Sequence, residues 1–196
     1  MQVIEPTYSI IRPVCWYDEL EHIEFAARNC YQSECKGDPH GFVTMLKNKK
    51  HHAMLEFGRM AVRFTTDRAT SHQIVRHRLF SFAQESSYYC RYTDGLRIIK
   101  PTGYDEWPAH VQETWYHAME HAEAAYLYML EKGLKQQARN VLPNSTSTRL
   151  VVQGNFRAWR TFFETRAMDA RNHIDMLDLV QPLHDEVQRL CPEVFL

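Results

Sequence analysis

Apolar residues recur at helical spacing over residues 16–33, where Leu20, Ile23, Ala26, Ala27 and Cys30 fall on one face. That pattern predicts an amphipathic helix. A shorter helix is expected over 42–47. Residues 59–66, RMAVRFTT, are rich in β-formers and read as a strand. Asp67 or Thr70 is placed to cap a following helix that runs towards Arg76. The next stretch, RHRLFSFAQESSYYCRYTDGLRII, is crowded with Ser, Tyr and Arg and predicts strands and loop. Pro108 opens the longest helix, 108–132, and Gly133 stops it. A short strand over 150–153 comes next, then a helix that begins at Asn155 and runs through FRAWRTFFETR, and a last helix over 173–190. Helix predominates, with no repeat, low-complexity tract or linker. The reading is a single α+β domain, 1–196, of long helices packed on a small, mostly antiparallel sheet.

Composition narrows the chemistry. A chain of 196 residues can bury a sizeable core. Its net charge of −1 gives no global basic field, so nucleic acid is not the expected partner and any anion site is local. No apolar run approaches the roughly 20 residues that span a bilayer. The opening MQVIEPTYSIIRPV does not have the form of a signal peptide, so the cytoplasm is expected. The five cysteines form no CxxC pair, and their odd number argues for reduced, structural thiols. Neither GxGxxG nor GxxxxGK[ST] occurs among only seven glycines. A bound nucleotide would therefore be held by side chains.

The densest polar cluster is Arg76-His77-Arg78, with Ser86 after seven further residues. In an extended segment, side chains two apart share a face, and two guanidinium forks would then meet one anion. Arg139, Arg157 and Arg166 lie in apolar settings and call for anionic partners, with Glu164 and Asp169 nearby. These features by themselves fit either a site for a phosphorylated small molecule or a set of structural ion pairs. His117 and His121 lie four apart, but HAMEH is not a zinc motif and reads as a solvated helix face. The pair His51-His52 also gathers no further ligands, so no metal site is expected.

The segment RHRLFSFAQES resembles the RHRx7S signature of the flavin-dependent thymidylate synthases, with Arg76, His77, Arg78 and Ser86 in register. Upstream, HHAMLEF and DRATSHQIVRHR resemble the family's paired stretch, including His51, Glu56 and Gln73. Downstream, ARNVLPNSTSTRLVVQGNFRAWRTFFETR resembles its second block, with Arg139, Asn155, Arg157 and Arg166 in place. AARNCYQSE and the ending PEVF also match, so the similarity covers almost the whole chain. The resemblance implies a homotetramer with active sites where subunits meet. It implies FAD as cofactor, and NADPH and methylenetetrahydrofolate as co-substrates. Arg76, His77, Arg78, Glu56, Asn155 and Arg157 then correspond to flavin-holding positions, with His51 close to folate or flavin. Gln73, Gln84, Ser86 and Ser87, with Arg139 from another subunit, correspond to the nucleotide cradle. Arg166 corresponds to the arginine placed against the uracil ring. Arg166 and Ser86 are thus the expected catalytic residues.

A guanidinium beside the carbonyl edge of uracil would stabilise negative charge on the ring as carbon 5 attacks an electrophile. No cysteine sits in a nucleophilic context, which agrees with flavin-borne reduction in place of a cysteine adduct. The chain departs from the family at Tyr88, where an arginine for the nucleotide phosphate is usual; a hydroxyl replaces a charged fork there. Arg91 is the nearest candidate replacement. Ala53 stands where a hydroxyl is frequent, and MDARNHIDM after Arg166 runs one residue out of step. These departures touch the nucleotide side. They make UMP the leading variant on the default substrate dUMP, with a hydroxymethylating or catalytically altered homologue as the alternative.

Overall fold

The computed structural model describes residues 1–30, 32–35 and 37–196. Tyr31, inside the helix expected over 16–33, lies outside the described residues. The elements in chain order are β1 (Gln2–Ile4), β2 (Thr7–Arg12), α1 (Trp16–Asn29), α2 (Pro39–Asn48), β3 (Arg59–Asp67), α3 (Arg68–Ile74), β4 (Ser81–Gln84), β5 (Arg97–Ile99), α4 (Ala109–Glu131), β6 (Ser147–Asn155), α5 (Phe156–Arg166), α6 (Ile174–Leu190) and α7 (Pro192–Phe195). Short 3-10 turns cover His52–Glu56, Tyr104–Glu106 and Gln137–Val141. This is the α+β architecture expected, with long helices on a small, mostly antiparallel sheet. Four strands run in the order β2-β3-β6-β4. Strands β1 and β5 pair with each other in parallel, Val3 opposite Ile98.

Local chemistry accounts for most boundaries. Asp67 caps α3 by accepting from the Thr70 amide at 2.7 Å, and Asn155 caps α5 by accepting from Ala158 at 2.8 Å. Asp38 accepts from the His40 amide, and Pro39 sits in the first turn, so α2 starts earlier than its apolar spacing indicates. Gly133, at φ +78°, follows the C-cap of α4 in the left-handed conformation that glycine adopts without strain. Strand β6 is nine residues long, more than twice the stretch expected, because its flanks are polar but still paired. The strands β1 and β2 and helix α7 are too short to carry a periodic signal.

The chain forms two compact units. One comprises residues 1–7, 64–76 and 83–150 and the other 8–63, 77–82 and 151–196. In the first, α4 packs over a core of Leu96, Ile98, Tyr126 and Ala138, with Trp115, Met119 and Leu130 against it. In the second, α5 buries Phe156, Trp159, Phe162 and Phe163 within one helix, and the Trp159 indole N–H donates to the Met60 carbonyl at 2.9 Å. Helices α1 and α6 pack on this aromatic cluster, with Trp16 stacked on Phe156 and His184 against Phe163, and α6 also buries Leu179, Val180, Leu183 and Val187. No helix among the described residues is long and apolar enough to cross a membrane.

Candidate active site

The motif residues occur on irregular backbone. Residues 75–80 form turns, with the Phe80 amide on the His77 carbonyl at 3.1 Å, and not the extended segment expected for RHR. Strand alternation therefore does not aim Arg76 and Arg78 at one anion. What holds this turn is packing. The Phe80 ring lies on Trp159, centroids 4.6 Å apart, and against Gly154, where a Cβ would overlap it. Beside it is a pocket of about 160 Å³ lined by His77, Arg78, Leu79, Phe80, Ala158 and Thr161. Leu79 is 77% exposed there, and Arg78 is also open to solvent.

In the same unit, the Arg166 Nε donates to His77 Nε2 at 2.9 Å, across 89 residues of sequence. With that nitrogen accepting, the proton of a neutral His77 is assigned to Nδ1. Burial, and next to it the Arg166 charge, hold His77 below its ordinary value of 6.5, which favours the neutral ring. Phe162 presents its ring edge-on to His77 at 4.9 Å. Arg166 also donates through Nη1 to Asn172 Oδ1 at 3.1 Å. The Asn172 amide donates in turn to the carbonyls of Thr165 and Asp169, at 2.7 and 2.8 Å. Neither Glu164 nor Asp169 serves Arg166 as sequence proximity led one to expect. Asp169 is taken by Arg171 in a two-pronged contact at 2.9 and 2.8 Å, which holds its carboxyl down at about 2.

Two residues expected on the flavin side meet: Arg157 donates to Glu56 at 2.7 Å, 101 residues away, both at the surface. Asn155 is occupied through Oδ1 as the cap of α5. His51 is exposed, at the head of the 3-10 turn that ends on Glu56.

The other unit carries the remaining candidates. Gln84 donates to Ser71 Oγ at 3.0 Å and to Thr148 at 3.3 Å. Gln73 is half-buried near the end of α3. Ser86 organises a turn, its Oγ accepting from the Tyr88 amide and its carbonyl from Tyr89 and Cys90. No base is bonded to the Ser86 hydroxyl among the described residues. Arg139, expected to act from another subunit, donates to Ser87 Oγ of its own chain at 3.1 Å and sits 5.9 Å over the Tyr88 ring. Tyr88 thus occupies the departed arginine's position with a ring that a guanidinium covers. Arg91 does not join this cluster. It lines a separate pocket with Glu85, Arg97 and Arg149, on the side to which Glu85 turns to meet Arg149 at 3.1 Å. Gln84 and Glu85 point apart, as neighbours at a strand end do.

The donor set fits a flavin nucleotide: an Arg78 guanidinium with no carboxylate partner among the described residues for phosphate, and an apolar wall at Leu79, Phe80 and Ala158 for a ring. The cysteines agree with chemistry that needs no thiol. Cys191 is buried, with its thiol pushed up to about 12 by desolvation and by Glu193, and the other four are at the surface. No metal-binding group occurs among the described residues.

Together the fold and these side chains define an α+β protein with arginine-rich, glycine-poor sites. Residues 15–193 match the family described as thymidylate synthase complementing protein, and the chain belongs to this family, the flavin-dependent thymidylate synthases. It is 35% identical over 193 residues to the flavin-dependent thymidylate synthase of Mycobacterium avium, covering 87% of this chain and 72% of that one. The Mycobacterium tuberculosis enzyme of the same name is 34% identical over the same shares. Among solved structures, a UMP/dUMP methylase, PolB from Streptomyces cacaoi, bound with 5-Br dUMP, superposes with a TM-score of 0.80. It is 22% identical, with 100% of this chain and 95% of that one covered. The chemistry of the family is methylation of the thymidylate-synthase type.

Proposed function

We propose that this protein methylates carbon 5 of the uracil ring in a uridine 5′-monophosphate, as a cytoplasmic homotetramer. The one-carbon donor is methylenetetrahydrofolate, the cofactor FAD and the reductant NADPH. The default substrate is dUMP, and UMP is accepted as well. The observation that carries this reading is the Arg166–His77 bond. It ties the residue matched to the uracil ring to the motif matched to the flavin, and Arg166 has no carboxylate partner among the described residues.

The chain's own residues divide the work. Arg166 sets a full positive charge against the uracil carbonyl edge, where negative charge collects as carbon 5 attacks the methylene carbon. Gln73, Gln84, Ser86 and Ser87 hold the nucleotide by hydrogen bonds, and Arg139 supplies charge for its phosphate. Arg76, His77, Arg78, Glu56, Asn155 and Arg157 hold the flavin, with His51 close to folate or flavin. When bound, the reduced flavin supplies the two electrons that turn the transferred one-carbon unit into a methyl group. The hydrogen at carbon 5 leaves as a proton, and the bonds from the methylene carbon to the folate nitrogens break, releasing tetrahydrofolate.

An anaerobic assay of the FAD-loaded enzyme with NADPH and methylenetetrahydrofolate, offered dUMP and UMP in parallel, tests the reading. Products 14 Da heavier than substrate are expected, since a hydrogen is replaced by CH₃ (about 14 Da from the atomic masses; the covalent product is set by the reaction class). Flavin reoxidation without a methylated product would count against it. The Tyr88 site supports acceptance of UMP, as does the likeness to a methylase whose name covers both nucleotides.

A further inference from the structure

We infer that Asn172 is a positioning residue for the reaction, holding the Arg166 guanidinium at the angle and in the charge state the uracil ring requires; this rests on the role of Arg166 proposed above. Nothing in the sequence around Asn172 singles it out, and its segment is where the chain leaves the family pattern. In the structure Asn172 is half-buried in the turn between α5 and α6. Its amide group is fixed by two backbone carbonyls, Thr165 at 2.7 Å and Asp169 at 2.8 Å. Those two bonds determine which end of the side chain is oxygen, and that oxygen accepts Nη1 of Arg166 at 3.1 Å. His77 holds Nε of the same guanidinium at 2.9 Å. One planar group is thus gripped at two points, and its Nη2 makes no bond among the described residues.

The choice of partner matters as much as the grip. Both acceptors are neutral, so the guanidinium keeps its whole charge for an anion forming on the ring. A carboxylate would hold the arginine as firmly and cancel that charge before the reaction began. Two carboxylates lie within three residues, and neither takes Arg166: Glu164 points to solvent, and Asp169 is engaged by Arg171 from the same turn. The turn therefore sorts its charges, pairing Asp169 with Arg171 and leaving Asn172 for Arg166. Fixing the donor before substrate arrives removes reorganisation from the chemical step.

The test compares Asn172→Ala, Asn172→Asp and Arg166→Ala with the double variant Asn172→Ala/Arg166→Ala, all as FAD-loaded enzyme. Asn172→Ala should lower kcat by about 10²-fold, the size expected for a misplaced reacting group. KM for dUMP should change far less, and flavin content and melting temperature should stay as in the parent. Asn172→Asp keeps an oxygen for Nη1 but brings a negative charge and gives up the two bonds donated to the Thr165 and Asp169 carbonyls, so it should lose kcat with little change in KM. By calorimetry, dUMP affinity should fall no further when Asn172→Ala is added to Arg166→Ala, since the two act as one unit. Parent-like kcat in Asn172→Ala beside an inactive Arg166→Ala overturns the positioning role alone. Additive losses in affinity assign Asn172 to general stability and overturn it too. An Arg166→Ala enzyme as active as the parent overturns the proposed role of Arg166, and this inference with it. Should Asn172→Ala fail to fold, the kcat and KM of Asn172→Asp decide.

Discussion

The guanidinium groups of this protein are separated by what they touch. Arg157 meets a carboxylate at the surface, Arg139 meets a hydroxyl and a tyrosine ring, and Arg166 meets an imidazole and an amide. A charge next to neutral acceptors remains available to a ligand, which is why Arg166 and Arg139 are the residues to place on the substrate. Tyr88 shows the limit of substitution by inspection. Read as a sequence change, it removes a charge from the phosphate site; in the structure it becomes a platform for Arg139. Tyr88→Arg would set two guanidiniums side by side and displace Arg139 from the ring. We expect this variant to raise kcat/KM for dUMP relative to UMP by about 10-fold, the equivalent of one hydrogen bond to the ribose 2′-hydroxyl lost with the tyrosine. An unchanged ratio in a competition assay would mean that Tyr88 does not read the ribose.

Elements matter here through the close approaches they permit. Strand β6 and helix α5 meet at Gly154-Asn155, where one residue lacks a side chain to admit Phe80 and the next caps the helix. The turn that carries His77 and Arg78 is anchored by that ring. Gly154→Ala should therefore cost about 1–3 kcal/mol, the usual range for overpacking, and should reduce bound FAD in the same preparation. The contrast is Gly41→Ala in the first turn of α2, where a Cβ meets nothing within 4 Å. There helix propensity alone applies, and stability should rise by roughly 0.5–1 kcal/mol. Urea denaturation of both variants checks the pair. Equal midpoints would show that Phe80 has room to move, and that the turn is not held by β6.

For the molecule as a whole, histidines link stability to pH. His77 and His184 both lie below the ordinary 6.5, chiefly through burial, with Arg166 adding to the shift at His77 and Asp185 opposing it at His184. Unfolded, each takes a proton near pH 6.5; folded, each resists until lower pH. In that interval the unfolded chain binds more protons, so stability is full above about pH 6.5 and declines as pH falls through the folded values. The melting temperature should drop between about pH 7 and 5.5, and His184→Gln should flatten the drop. A melting temperature constant across that window would show that both rings accept protons without cost in the folded state. Acidification should also weaken the His77–Arg166 contact, because a protonated imidazole no longer offers Nε2 as an acceptor.

Some of this was determined by the sequence alone. Helix spacing, the caps at Asp67 and Asn155 and the stop at Gly133 act within a turn or two of chain, so the residues that specify them are neighbours that can be read together. The RHRx7S motif and its companion blocks carried family membership for the same reason, as short-range patterns matched residue by residue. Tertiary structure decided the partners. His77 and Arg166 are 89 residues apart, and Glu56 and Arg157 are 101 apart. Nothing in their spacing states that they touch; only the packing of α5 on its surroundings does. The same packing turned RHR out of the extended form, sent Arg91 away from Tyr88, and gave Asp169 to Arg171 so that Arg166 fell to Asn172. Local periodicity specifies which face of an element is buried, whereas the partner of a charge depends on which distant element that face meets.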